Sequence, residues 1–243
     1  MSVEQPLATN AACVTGTLTL LDAARRAGVR RLVYAGSSAA YGDQPTSSKR
    51  ETDLPMPLSP YGTAKLAGEY YCRAFTATYG FQTVVIRYFN VFGARQDPKG
   101  AYAAVIPAWI DALVRGEPCR VHGDGLQTRD FCHVANVVGA NLLAATTAAP
   151  AALGGAFNVG TGARTTLLEL HDAIVAALRE ALPERTDLAS AAPEFGPARP
   201  GDVRHSCADV GRARAVLGFE PAVGLRDGIG HTLGWFLTGA RSG

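Results

Sequence analysis

Leu7, Ala11, Val14, Leu18 and Leu21 recur at alternating steps of four and three, which places them on one face of a helix that Gly28 can close as its C-terminal cap. Arg31-Leu32-Val33-Tyr34-Ala35 then predicts a short buried strand ending on small residues, where a ligand can approach the backbone. A polar, proline-bearing connection covers residues 43–58. Ser59-Pro60 offers a helix start, an N-cap residue followed by a proline suited to the first turn, and the helix is expected to run to Tyr79 and stop at Gly80. Gln82 to Tyr88 is rich in β-branched and aromatic residues without polar alternation, the pattern of a strand covered on both faces, with Asn90 just past its end.

Strand and helix thus alternate, as in parallel crossover units whose ligands gather at the C-terminal strand ends. After residue 92 the pattern changes to an expected helix from Ala101 to Arg115 and a glycine-rich strand-and-turn stretch from Val121 to Phe131. A helix from Val134 to Ala145 and a strand over Ala156-Phe157-Asn158-Val159 follow. Thr166-Leu167-Leu168-Glu169 fits a capping box, and Leu167, Leu170, Ile174 and Leu178 continue an apolar face until Pro183. The expected fold class is α/β, with residues 1–92 and 133–164 in one domain and residues 93–132 and 165–243 in a smaller α+β lobe.

Composition narrows the function classes. The 243 residues are 47% hydrophobic and 18% charged, which favours a globular chain over disorder. A formal charge of +2 leaves no electrostatic footprint for nucleic acid, and Arg25, Arg26, Arg30 and Arg31 read as solvated surface. Five cysteines without a Cys-x-x-Cys pair suggest neither a disulfide framework nor a metal site, and are expected as ordinary thiols in a reducing cytoplasm. The first residues lack a basic head with an apolar body, and no apolar run reaches the roughly 18 to 20 residues that span a bilayer, so neither export nor a membrane anchor is expected.

The chemistry is concentrated in two motifs, Gly36-Ser37-Ser38-Ala39-Ala40-Tyr41-Gly42 at the end of the first strand and Pro60-Tyr61-Gly62-Thr63-Ala64-Lys65 at the start of the following helix. Tyr61 and Lys65, four apart, share one helix face. A tyrosine ordinarily ionises near pH ~10, but a nearby ammonium and a cationic nicotinamide ring both favour its phenolate. Ser37 is suited to donate or relay a hydrogen bond to the same substrate oxygen, so a carbinol held by Ser37 and Tyr61 could lose its proton as hydride leaves to NAD. Alcohol oxidation is the implied step.

These motifs, together with Ser2 to Asn10, Arg87-Tyr88-Phe89-Asn90-Val91-Phe92-Gly93, Arg95-Gln96-Asp97-Pro98, Gly100 to Pro107, Gly123-Asp124-Gly125, Thr128-Arg129-Asp130-Phe131 and Arg199 to Ser206, resemble the extended short-chain dehydrogenase/reductase family. Within it they are similar to the NAD-dependent epimerases and dehydratases, above all the UDP-N-acetylglucosamine 4-epimerases related to UDP-glucose 4-epimerase. The resemblance implies a doubly wound, Rossmann-type parallel sheet, Tyr61 as base, Ser37 as its partner, and Lys65 and Asn10 with Tyr61 at the cofactor. It implies Ser38 facing the sugar, substrate contacts at Asn90, Gln96 and Ala104, diphosphate contacts at Arg129 and Arg199, and a ribose contact at Asp202. Ser206 falls where a small side chain would admit a 2-acetamido group, which favours UDP-GlcNAc and UDP-GalNAc over UDP-Glc and UDP-Gal; a UDP-hexuronic acid stays open. Ala39 and Ala40 stand where family dehydratases carry acidic side chains, and methyl groups transfer no protons, so dehydration is disfavoured.

The pattern also departs from the family. No glycine-rich strand-to-helix turn precedes Ser37, and Cys13 stands where a cofactor-facing asparagine is common. The expectation is an incomplete sheet whose first strand has an unpaired edge, with NAD poorly retained and turnover impaired. The alternative is an inactive remnant that binds nucleotide sugar. A homodimer built on the helices after Leu7 and Ser59 is the implied assembly.

Overall fold

The structure, a computed structural model, describes residues 2–46, 48–98, 104–198 and 203–239. Along the chain the elements are α1 (Pro6–Asn10), a π-helical segment (Ala11–Thr15), α2 (Gly16–Arg26), β1 (Arg31–Ser37), α3 (Pro60–Tyr79), β2 (Gln82–Tyr88), β3 (Asn90–Phe92) and α4 (Val105–Val114). Next come β4 (Arg120–His122), β5 (Thr128–Arg129), β6 (Phe131–His133), α5 (Val134–Thr146), β7 (Ala156–Val159) and β8 (Thr165–Thr166). The chain continues with α6 (Leu167–Ala181), β9 (Glu194–Gly196), β10 (His205–Ser206), α7 (Gly211–Leu217) and α8 (Leu225–Gly239).

β1, β2 and β7 form a parallel sheet in that order, with Ser37 opposite Tyr88 and Arg87 opposite Asn158. The sheet is covered on both faces, which explains why β2 is apolar without alternation. Tyr34 and Val85 pack with Leu21, Cys72 and Phe75 from α2 and α3 on one side. Val84, Ile86, Phe157 and Val159 pack with Val137, Ala140, Ala213 and Leu217 from α5 and α7 on the other. Among the described residues β1 pairs with β2 alone and is an edge strand. A further core joins Phe92 and Phe131 to Ile106, Ile110, Leu170, Ile174, Ile229 and Leu233 of α4, α6 and α8. β3 and β6 run parallel beside it, and β10-β5-β8 and β4-β9 are small additional sheets.

Local signals act where the sequence puts them. The Ser59 hydroxyl accepts from the Gly62 amide at 3.1 Å, Pro60 opens α3, and Gly80 closes it at φ 66°. The Thr166 and Glu169 capping box forms at the start of α6. Asp130 is fully buried and accepts from Thr161 N, Thr161 Oγ1, Gly162 N and Ala208 N, so one carboxylate fixes the turn after β7.

Two expectations are corrected. Leu7 is 85% exposed, outside the apolar stripe that ends at the buried Leu21. The π-helical segment absorbs one extra residue, so Leu7 sits roughly 140° around the axis from Leu21 instead of the roughly 40° that fourteen α-helical positions would give. Arg31 is not solvated surface: it is partly buried, bonds Gln82 Oε1, and donates through Nη1 to the carbonyls of Ala144, Ala145 and Thr147, capping the C-terminus of α5. The expected helix from Ala101 is observed from Val105, residues 101–103 lying outside the described set.

Candidate active site

Ser37 ends β1 in extended conformation and caps one 3-10 turn, Ser38–Ala40, by accepting from the Ala39 amide at 3.2 Å. That contact uses the hydroxyl oxygen as acceptor and leaves its proton to donate elsewhere. Tyr61, 39% exposed, stands in the first turn of α3. Lys65 lies one turn on, its Nζ 5.9 Å from the centre of the Tyr61 ring and 5.5 Å from that of Tyr34. The same ammonium donates to the carbonyl of Ala35 at 3.1 Å, so Lys65 is anchored to β1 two residues before Ser37. Phenol, ammonium and the Ser37 turn thus meet at the C-terminal end of the sheet, where ligands of open α/β folds collect.

Close packing holds α3 there. A methyl group on Gly62 would lie 2.7 Å from the Ala39 carbonyl oxygen, and one on Gly68 would lie 2.2 Å from the Tyr34 hydroxyl. Tyr34 reaches the Lys65 carbonyl at 3.3 Å, and burial pushes its own phenol up to about 12, so it serves as a neutral donor. Deeper, Arg87 forks onto Glu69, Nε to Oε2 at 2.9 Å and Nη2 to Oε1 at 2.6 Å, both residues being buried. Its guanidinium carbon lies 4.7 Å from the centre of the Tyr41 ring, and the Tyr41 hydroxyl is 2.7 Å from Asn158 Oδ1. Tyr41 and Arg87 belong to the sequence motifs but take no role from them, and Glu69 and Asn158 take none either. The signal was present in the repeated step of four, Tyr61, Lys65, Glu69, and in an arginine inside an otherwise apolar strand.

β3 continues from β2 into a cavity of about 600 Å³ lined by Asn90, Ala104, Arg120, His122, Gln127 and Arg129, with Phe92, Trp109 and Phe131 among its apolar walls. Asn90, Ala104 and Arg129 are therefore brought together, and Ser206 stands in register with Arg129 across β10 and β5. Arg120, His122 and Gln127 were not anticipated; the alternation of Arg120 and His122 about the buried Val121 was the available signal. Gln96 donates to the Val91 carbonyl at 3.3 Å, while its buried Oε1 has no partner among the described residues. Ser38 is half-buried in the turn after Ser37. Asn10 lines a different cleft with Pro6, Val14, Pro57, Ser59 and Thr63. Arg199 and Asp202 lie outside the described residues. Among the described residues no three His, Cys, Asp or Glu gather as metal ligands, no helix is long and apolar enough to cross a membrane, and the five cysteines are free thiols.

A parallel α/β sheet carrying serine, tyrosine and lysine at its C-terminal end defines a short-chain dehydrogenase/reductase of the extended type. The chain belongs to the NAD dependent epimerase/dehydratase family, which it matches over residues 1–160. The UDP-glucose 4-epimerase of Mycolicibacterium smegmatis is 40% identical over 236 residues, 97% of this chain and 71% of that protein. The UDP-N-acetylglucosamine 4-epimerase of Methanobrevibacter ruminantium, solved with UDP-N-acetylmuramic acid, superposes with a TM-score of 0.89 at 33% identity, covering 98% of this chain and 73% of that one. UDP-glucose 4-epimerase of Thermotoga maritima, solved with UDP-glucose, gives 0.87 at 35% identity, with 98% and 74% covered.

Proposed function

We propose that the chain is an NAD-dependent epimerase acting at carbon 4 of a UDP-hexose, with UDP-GlcNAc and UDP-GalNAc the favoured pair and UDP-Glc and UDP-Gal next. The observation that carries this reading is the anchoring of Lys65 on Ala35, one helical turn from Tyr61 and beside the Ser37 turn. A phenol and an ammonium at a strand's C-terminal end fit the nicotinamide ribose of NAD; Asn10, in a separate cleft, is kept as a cofactor contact on the family resemblance alone. When bound, NAD would supply the hydride acceptor for carbon 4 and, once the keto sugar has turned, the donor that reduces its other face.

In this reading the Tyr61 oxygen takes the proton of the carbon-4 hydroxyl and later gives it back, while Ser37 donates its unused proton to the same oxygen. Lys65 keeps two N–H groups beyond the one held by Ala35 and offers them to ribose oxygens. Ser38 and Asn90 face the hexose, and Gln96, held on the Val91 carbonyl beside Asn90, is the further substrate contact that the family resemblance assigns. Arg129 and Arg199 hold the diphosphate, Asp202 a ribose hydroxyl, and Ala104 closes the cavity wall at the start of α4. Ser206, in register with Arg129, leaves room for an acetamido group at carbon 2.

The test is incubation of the full chain with NAD and each UDP-hexose, followed by product analysis. UDP-GlcNAc is expected to give UDP-GalNAc with kcat/KM about tenfold above that for UDP-glucose, the scale of one pocket contact. No product from any UDP-hexose would overturn the reading, and product from UDP-glucuronic acid alone would move the substrate to hexuronic acids. A second reading keeps nucleotide-sugar binding at the cavity lined by Asn90, Arg120, His122 and Arg129 but without turnover. Binding of UDP without turnover at saturating NAD would select it. Exposed Val3, Leu7, Leu20 and Leu58 on and beside α1, α2 and α3 support a homodimer through these helices, and five free thiols suit a reducing cytoplasm.

A further inference from the structure

We propose that Arg87 is a positioning residue, a clamp that sets the separation between the Ser37 turn and the Tyr61–Lys65 helix. The proposal rests on the reading above for its catalytic meaning, but the clamp itself is a property of the fold. Arg87 lies near the C-terminal end of β2, opposite Gly36 in β1 and Asn158 in β7. One edge of its guanidinium grips Glu69 with two bonds, and one face covers the ring of Tyr41. Glu69 continues the stripe of Tyr61 and Lys65 by one more turn of α3, and Tyr41 follows Ser37 by four residues. A single planar group therefore touches both segments that must converge on the reacting oxygen.

The chemistry of the clamp favours geometry over stability. Burying an ion pair costs desolvation of both charges, and apolar residues of similar volume are often as stable or more so. Arg87 Nη1 is buried without a close hydrogen-bond acceptor among the described residues, and Tyr41, against which the guanidinium lies, offsets that only in part. What a bidentate fork supplies, and methyl groups cannot, is direction: it fixes distance and angle together. The far side of the network is equally directional. Tyr41 bonds Asn158 Oδ1, Asn158 Nδ2 donates to the carbonyls of Lys49 and Asp209, and the Asn158 amide donates to Glu51 Oε1 at 2.7 Å. Displacing catalytic groups by about 1 Å can cost on the order of a hundredfold in rate, which is the scale such a clamp protects.

The experiment compares wild type with Glu69→Leu/Arg87→Met, which removes both charges at similar volume, and with Arg87→Lys, which keeps the charge but loses the fork. Arg87→Met alone leaves the Glu69 carboxylate buried without a partner and is expected to unfold, so it serves only as a control. The double variant is expected to melt near wild type. Its amide hydrogen exchange should quicken about tenfold or more over residues 37–42 and 59–65 together, with α4 and α6 unchanged. Its kcat should fall about tenfold to a hundredfold with UDP affinity in calorimetry unchanged, and Arg87→Lys should restore melting but not kcat. Native exchange in both segments, or faster exchange spread evenly over α4 and α6, would overturn the clamp. If wild type turns over no UDP-hexose, the epimerase reading falls and the exchange pattern alone decides the clamp.

Discussion

Gly62 and Ala39 meet so closely that a single added methyl would stand 2.7 Å from the Ala39 carbonyl oxygen. The first turn of α3 is thereby seated on the turn that follows Ser37. Gly62→Ala must push the two apart, since the obstructing atom is backbone. The expected outcome is a loss of about 1–3 kcal/mol in stability by denaturant titration, with a fall in kcat and little change in UDP affinity.

Tyr61→Phe removes one oxygen from a half-exposed ring and disturbs no buried contact. Epimerase turnover should fall by roughly 10²–10⁴, the usual worth of a positioned acid–base group, while UDP-sugar affinity and melting temperature stay near wild type. Unchanged turnover in steady-state assays would remove Tyr61 from the mechanism.

Acid should loosen the junction of β6, α5 and α8. His133 is buried, accepts from the Ala135 amide through Nδ1 at 3.3 Å, and its ring lies 5.6 Å from that of His231. Burial, and then the neighbouring His231, hold its pKa below the ordinary 6.5. With the folded value below the unfolded one, the unfolded chain binds more protons, so this stability is present above pH 6.5 and is lost as pH falls through the folded pKa. Melting temperatures between pH ~7 and ~5 should decline in wild type and decline less in His133→Asn, which keeps a capping oxygen without the titration.

Gly139 offers the opposite case to Gly62. It lies within α5, and a methyl there would meet nothing within 4 Å. Gly139→Ala should stabilise by about 0.5–1 kcal/mol in the same titration, because alanine loses less backbone freedom on entering a helix, and activity should not change.

What the sequence makes legible follows from the range of the interactions. The bounds of α3 are set by Ser59, Pro60 and Gly80, and the start of α6 by Thr166 and Glu169, all neighbours along the chain. Ser37, Tyr61 and Lys65 were legible as a group because each lies at an element end marked by such signals. Arg31 was misread because its three acceptor carbonyls belong to a helix end more than a hundred residues away. Arg87 and Glu69 form their fork only after β2 has docked beneath α3, so the local signals, a step of four along α3 and an arginine within β2, mark each residue but not their pairing. The cavity walls at Arg120, His122 and Gln127 are likewise products of packing between separate elements.

The wide turn at Ala11–Thr15 makes the N-terminal helix tolerant of length at one place. Loss of a single residue there would restore ordinary winding and leave the side chains before and after it facing as they do now. The same deletion within Gly16–Arg26 would swing everything ahead of it by roughly 100° and lift Pro6–Asn10 off its seat beside α3. Length variation among working variants of this chain should therefore collect between residues 11 and 15, and a deletion scan would find its permissive window there.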